Sequence, residues 1–109
     1  MNVQVHAKGI TLQPNTRAHI ESAIGSFSKY SLEITSVNVH IAAEKKGVSI
    51  EFDIHVAHAK PVVISQADDS LDAAIDLAVD RATKALRRLH EKVVSHRNGS
   101  VKDLETLDS

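Results

Sequence analysis

The chain contains no cysteine and no tryptophan, and its only Phe and Tyr residues are Phe27, Tyr30 and Phe52. Without cysteine, disulfide frameworks and cysteine-based zinc sites are excluded. The few aromatic rings leave the core to aliphatic side chains and argue against single-strand recognition by base stacking, which needs exposed rings. No apolar run approaches the ~20 residues that span a bilayer, and the N-terminus has no apolar signal core. We therefore expect a cytoplasmic protein that does not bind membranes.

Net charge is also almost absent, at −1 over 109 residues. That length allows one domain at most. A hydrophobic content of 42% with 25% charged residues is ordinary for a globular protein. Because a near-neutral protein is a poor general binder of polyanions, any contact with nucleic acid must be confined to a local surface of suitable shape.

Alternating apolar and polar residues predict four strands. The strongest pattern covers Val48–Val56, where nine residues alternate strictly. Weaker alternation predicts the other strands at Val3–Val5, Val37–Ile41 and Val62–Gln66. The segment from Glu44 to Gly47 is expected to form the turn between the second and third strands.

Helical spacing of apolar residues predicts two helices. The first begins at Pro14, a favoured first helical position, and runs to about Tyr30. The second runs from Leu71 to about His96 and is the stronger of the two. Its N-cap candidates are Asp68, Asp69 and Ser70. The negative charge of the two aspartates at the start of the helix also interacts favourably with the helix dipole.

Each predicted strand has one polar face, so the sheet should be covered on one side only. Two amphipathic helices can cover that side. The sequence thus predicts an α+β two-layer sandwich in the order β-α-β-β-β-α, with a four-stranded sheet and both helices on one face. We expect residues 1–96 to form this domain and residues 97–109 to be a flexible polar tail.

The second predicted helix has a marked charge asymmetry. Six Lys and Arg residues against one acid give residues 81–97 a charge of +5, in a chain whose total is −1. On a helical wheel of about 100° per residue, four of these cations cluster along one edge, beside the apolar seam. We call this set the basic ridge; it comprises Arg81, Lys84, Arg88 and Lys92.

Two interpretations of the basic ridge remain open at this point. Cations are favoured near a helix C-terminus, and a charged face turned to solvent is their commonest role. However, a purely solvating face usually alternates Glu with Lys at four-residue spacing, whereas here only Glu91 interrupts the cations. The ridge is about 16 Å long at 1.5 Å per residue, a length that suits a row of phosphates along a groove.

Little in the sequence indicates catalysis or a metal. Glu51 and Asp53 share one strand face, but no nucleophile or phosphate-binding glycine loop accompanies them. His6, His40 and His55 should all lie on the open face of the sheet, yet their spacing matches no zinc signature. We therefore expect no enzymatic activity, no metal site, no cofactor and no small-molecule substrate.

The order of elements and three segments resemble a known family. The segments AKGITLQP, VNVHIAAEKKG and DSLDAAIDLAVDRATKALRRLHEK occur in this order within a match of about residues 1–96. They resemble the short ribosome hibernation-promoting factors and the related ribosome-associated inhibitor (factor Y), formerly called sigma factor modulation proteins. The most specific part is AAID, from Ala73 to Asp76, followed by a basic amphipathic helix.

The resemblance implies a fold similar to double-stranded RNA-binding domains and binding to the small ribosomal subunit. There the protein would occupy the channel of messenger and transfer RNA during stress or stationary phase and inhibit translation. The family positions that reach ribosomal RNA fall on the basic ridge in the second helix, with Arg87 in the same basic segment. In the first helix they fall on Arg17 and Lys29, whereas Ala23 and Ser26 stand where Lys or Arg is usual.

Some consequences of the resemblance stay open. The chain lacks the additional domain of long hibernation factors, so we expect it to be monomeric when free and not to pair ribosomes by its own dimerisation. Whether it promotes or blocks ribosome dimers is undecided. A different hypothesis is a protein-binding regulator of a sigma factor or another partner through the sheet face. A lesser one is binding of free double-stranded RNA, for which Asp68, Asp69 and Asp72 are poorly placed.

Overall fold

In the computed structural model, residues 1–99 are described as backbone and residues 1–92 also as side chains. Part of the expected tail, residues 100–109, lies outside the described residues. The first strand and helix are β1 (Asn2–Lys8) and α1 (Pro14–Gly25), and a 3₁₀ helix (Ser26–Tyr30) follows α1 directly. The remaining elements are β2 (Ile34–Glu44), β3 (Gly47–Val56), β4 (Val62–Asp68) and α2 (Leu71–Gly99).

The four strands form one sheet in the order β1-β2-β3-β4. The edge strand β1 runs parallel to β2, so α1 serves as the crossover between them. The other neighbours are antiparallel. The first turns of α1 and α2 line one open cleft, so the two helices begin at the same end of the domain. The predicted α+β two-layer architecture is confirmed.

The core lies between the helices and the inner face of the sheet. One row of partners crosses all four strands, from Val5 to Val39, Phe52 and Ile64. At the centre, the ring of Phe27 from the 3₁₀ helix meets the ring of Phe52 edge-on, with centroids 6.1 Å apart and planes at 82°. Such pairs contribute about 0.5–1.5 kcal/mol beyond the area that they bury. The core is otherwise aliphatic, as the composition predicted.

The first helix is shorter than predicted. The prediction of one continuous helix to Tyr30 is wrong, because the α-helix ends at Gly25 and a 3₁₀ helix continues. Glycine weakens a helix interior, and two serines then bind nearby carbonyls. Ser26 donates its hydroxyl to the carbonyl of Ala23 at 2.6 Å, and Ser28 donates to Gly25 at 3.0 Å. These local bonds compete with the α-helical ladder, and the tighter turn still buries Phe27.

The second helix begins where the sequence predicted. The hydroxyl of Ser70 accepts a hydrogen bond from the backbone N–H of Ala73 at 3.2 Å, which caps the first turn. Its fully buried side chains are mostly small, so the helix can approach β3 and β4 closely. They form one seam along the helix: Ala74, Ile75, Ala78, Ala82 and Leu86.

A close backbone approach fixes the turn between β2 and β3. Gly47 has a φ of +119°, which side chains rarely permit. A Cβ atom at Gly47 would lie 2.2 Å from the carbonyl oxygen of Asp68 at the end of β4. The obstacle is backbone, so it cannot move aside as a flexible side chain would. A side chain at this position would therefore displace the end of β4.

We predict that Gly47→Ala lowers the free energy of unfolding by about 2–3 kcal/mol, because strain and the clash with Asp68 act together. In a domain of this size that corresponds to a fall in Tm of roughly 10 °C or more. The matched control is Gly25→Ala, at a helical position with no atom within 4 Å of the added Cβ. Its Tm should be equal or higher. Equal Tm values for the two variants would contradict the prediction.

Candidate nucleic-acid interface

All four members of the basic ridge are exposed on α2, and so is Arg87 on the same helix. Arg17 on α1 and Lys29 on the 3₁₀ helix are exposed as well. The buried seam of α2 has its last fully buried side chain at Leu86 among the described residues. The helix nevertheless continues to Gly99, which gives it a length of about 43 Å at 1.5 Å per residue. The cations beyond Leu86 therefore stand on a part of the helix that no longer packs deeply on the sheet.

Arg81 makes specific contacts with the edge strand β4. Its guanidinium Nη1 donates to the backbone carbonyl of Ser65 and, at 3.1 Å, to the Oε1 atom of Gln66. The edge of β4 is thus partly capped by α2, which blunts it against pairing with another strand. Arg81 has lost some of its freedom to meet a phosphate and has acquired a structural role.

Lys84 also has a partner on its own helix. Its Nζ lies 3.1 Å from the Oδ2 atom of Asp80, in an exposed pair at four-residue spacing. Exposed pairs of this kind contribute only about 0.3–0.5 kcal/mol, so an incoming phosphate can replace Asp80. Within residues 1–92, Arg87, Arg88 and Lys92 form no ion pair. The available positive charge is consequently concentrated toward the C-terminal end of the ridge.

The cations of α1 and of the 3₁₀ helix, Arg17 and Lys29, lie in different surroundings. Lys29 is in the 3₁₀ helix, which contacts α2, and its Nζ is 5.4 Å from the ring centroid of Tyr30. Arg17 is near the start of α1, where both helices begin. An open cleft there is lined by Asp72 and Asp76 of α2 together with Asn15, Thr16 and His19. Lys29 thus belongs to the half of the helical layer that holds the 3₁₀ helix, and Arg17 lies at the acidic end.

A polar bond joins the acidic ends of the helices. The Nε2 atom of His19 lies 3.1 Å from the Oδ1 atom of Asp76, and both side chains are at least half exposed. Asp76 thus contacts the neighbouring helix, a role that the sequence could not show because the two residues are 57 positions apart.

The opposite face of the sheet is open and polar. His6 and His40, which are register partners on β1 and β2, stack with ring centroids 5.2 Å apart and planes at 14°. His55, the third predicted member of this face, pairs in register with Ser36 and lies away from the stack. Among the residues that the structure describes, no group of three or more His, Asp or Glu side chains is arranged to hold a metal ion.

Residues 3–94 match the family described as Sigma 54 modulation protein / S30EA ribosomal protein. The chain belongs to this family. One curated relative is a ribosome hibernation promoting factor from Azotobacter vinelandii, 29% identical over 99 residues, which cover 91% of this chain and 92% of the relative. The family consists of ribosome-associated binding proteins, and the resemblance read from the sequence is confirmed.

Two solved structures share the fold. The N-terminal domain of Protein Y from Thermus thermophilus has a TM-score of 0.73 and 23% identity, covering 82% of this chain and 99% of that domain. A ribosomal subunit interface protein from Coxiella burnetii has a TM-score of 0.71 and 14% identity, with coverage of 82% and 97%. In residues 1–99 of this family member, no helix is long and apolar enough to cross a membrane.

We predict that Arg81 and Arg88 differ in their effect on stability. Arg81→Ala removes the contacts with β4 and should lower the free energy of unfolding by about 0.5–1.5 kcal/mol. Arg88→Ala removes the same charge from an exposed position and should change it by less than about 0.5 kcal/mol. Urea unfolding of both variants measures the difference. Equal midpoints would show that the bonds from Arg81 to β4 add nothing to stability.

Proposed function

We propose that this protein is a non-enzymatic translation inhibitor that binds the small ribosomal subunit during stress or stationary phase. It would occupy the channel of messenger and transfer RNA, held by contacts with ribosomal RNA. Membership of the S30EA ribosomal protein family supports a ribosomal partner. So do the names of the relatives, a ribosome hibernation promoting factor and a ribosomal subunit interface protein. Such a partner implies a cytoplasmic location.

The observation that carries the proposal is the exposed positive charge on the outer part of α2. Residues 81–92 hold five cations and one acid, in a chain whose total charge is −1. The buried seam holds α2 against the sheet as far as Leu86, and the helix continues beyond it, so its backbone places these cations in a row. A row of cations on a preformed helix loses less backbone entropy when it meets a row of phosphates than an unstructured segment would.

Inhibition would follow from occupancy alone. A folded domain with a helix of about 43 Å fills space that an RNA strand would otherwise use, and no bond has to be made or broken. Phosphate contacts position a protein on nucleic acid without reading its sequence. Selectivity for the ribosome would then come from the fit of the whole domain, because the acidic remainder of the chain disfavours polyanions in general.

The residues proposed to bind ribosomal RNA fall into two groups. Arg88, Lys92 and Arg87 have no ion-pair partner within residues 1–92 and should contribute most. The smaller contribution should come from Arg81, Lys84, Arg17 and Lys29. The first two have intramolecular partners, and the other two lie on α1 and on the 3₁₀ helix. The last helix should therefore supply most of the affinity.

We predict that binding to small subunits weakens steeply as salt increases, and that Arg88→Ala with Lys92→Ala makes this dependence shallower. Each lost phosphate contact removes about 0.7–0.9 from the slope of log K against log salt, so the double variant should lose about 1.4–1.8. Co-sedimentation with purified small subunits at several salt concentrations gives the slope.

The matched control is Lys45→Ala with Lys46→Ala, which removes the same charge from the exposed turn between β2 and β3. Its slope should stay near that of the unmodified protein. If changing all four members of the basic ridge left binding undiminished, the assignment of the ridge to ribosomal RNA would be wrong. A loss of binding without a change in slope would also contradict direct phosphate contacts.

The family description favours one alternative, since it also names a Sigma 54 modulation protein. In that case the polar face of the sheet would bind a protein partner. Treatment with RNase separates the two functions. A complex purified from cells that survives RNase and contains no ribosomal proteins would support the alternative, whereas loss of the partner on RNase treatment supports a ribosomal one.

A further inference from the structure

The stacked imidazoles of His6 and His40 lie on the face of the sheet opposite to the helices and take no part in the proposed interface. Both side chains are exposed, and their near-parallel rings lie 5.2 Å apart on adjacent strands. Since neighbouring strands are about 4.8 Å apart, the stack runs across the strands. Such an arrangement presents flat ring surfaces to solvent on a rigid sheet.

The stack can be extended in one direction only. On the side of β2, His40 is in register with Glu51 of β3, so that side is occupied. On the other side, β1 is the edge strand and no further strand follows His6. A planar group could therefore lie on the outer side of the His6 ring and continue the stack.

The charge around the stack favours an anionic ligand that can form hydrogen bonds. The open-face residues of β1 beside His6 are two amides, Asn2 and Gln4, and one cation, Lys8. Those of β2 include Asn38, and the one acid of this face on β2, Glu44, is four residues from His40, about 13 Å along the strand. The other carboxylates of this face are on β3 and have partners: Glu51 accepts from the Ser65 hydroxyl at 3.2 Å, and Asp53 lies 3.3 Å from His55.

We infer that the β1 and β2 half of this face is a second RNA contact, which binds an unpaired nucleotide of single-stranded RNA. The base stacks on His6, the amides of Gln4 and Asn38 bind its edge, and Lys8 meets a phosphate. Stacking on exposed rings, imidazole included, is the usual way in which proteins hold unpaired bases. An arginine side chain is also planar, but Lys8 would repel it, and Glu44, the acid of this face on β2, is about 13 Å along the strand from His40.

This inference deepens the proposed function, on which it rests, and modifies one conclusion from composition. The scarcity of Phe, Tyr and Trp argued against base stacking, but the structure brings two imidazoles together. The chain would then touch RNA on both faces: phosphates along the basic ridge and an unpaired base on the sheet. The unpaired nucleotide could come from ribosomal or from messenger RNA, since the chemistry is the same.

The test uses the full chain and a fluorescein-labelled oligouridylate of ten nucleotides, with fluorescence anisotropy as the readout. His6→Ala should weaken binding by roughly fivefold or more, the lower end of what one stacked base contributes. His6→Phe keeps a ring and should bind at least as well as the unmodified protein. The matched control is His55→Ala, which removes an imidazole from the same face outside the stack and should bind normally.

Three results would overturn the inference: no binding of the oligonucleotide, equal affinity of the unmodified protein and His6→Ala, or an equal loss in His55→Ala. A loss confined to Arg88→Ala with Lys92→Ala would assign the oligonucleotide to the ridge instead. Binding of an arginine-rich peptide at His6, in place of RNA, would assign the stack to a protein partner. Co-sedimentation with small subunits, measured on the same variants, reports separately on the proposed function.

Discussion

The edge-to-face contact between Phe27 and Phe52 ties the first helical layer to the centre of the sheet. Phe52 is on β3, an inner strand, and both rings are fully buried. With so few aromatic side chains available, no other pair of large rings lies in the described core. Loss of one ring would leave a cavity that costs about 3–5 kcal/mol, a large share of the stability of a domain of this size.

The 3₁₀ helix that provides one of these rings also packs beside α2. In turn, α2 covers β3 and β4. Because its seam contains Ala74, Ala78 and Ala82, α2 lies close to the sheet there, and its cations are left at the edge and at the far end. The packing of α2 on the sheet therefore has two results. It buries the small residues in the first half of the helix and leaves the cations of the second half, as far as Lys92, exposed.

The elements themselves were readable from the sequence. The alternation in Val48–Val56, the seam of α2 and the cap at Ser70 are local signals, and the structure has each of them at the predicted place. Family resemblance added the assignment of the fold. The predicted end of the second helix, at about His96, is only a few residues before the observed end at Gly99.

What the sequence could not provide depends on contacts between distant residues. The α-helix ends at Gly25, where the hydroxyls of Ser26 and Ser28 donate to nearby backbone carbonyls. Helix propensity alone does not predict these hydrogen bonds. The partners of Arg81 are 15 and 16 residues away, on an edge strand whose position follows only from the strand order. A helical wheel gives the angular position of Arg81 correctly but cannot show that β4 lies within its reach.

The near-neutral charge of the chain is consistent with a protein that meets RNA at defined places. A uniformly basic protein would bind any polyanion, and its affinity would depend on salt more than on shape. Here the first turns of α2 carry Asp72, Asp76 and Asp80, and the acids of the sheet face are on β3 and at the end of β2. These groups disfavour phosphates along the first turns of α2 and over the β3 part of the sheet face. For the proposed contact with RNA, negative charge in those positions would restrict how the domain approaches, and orientation would become as important as attraction.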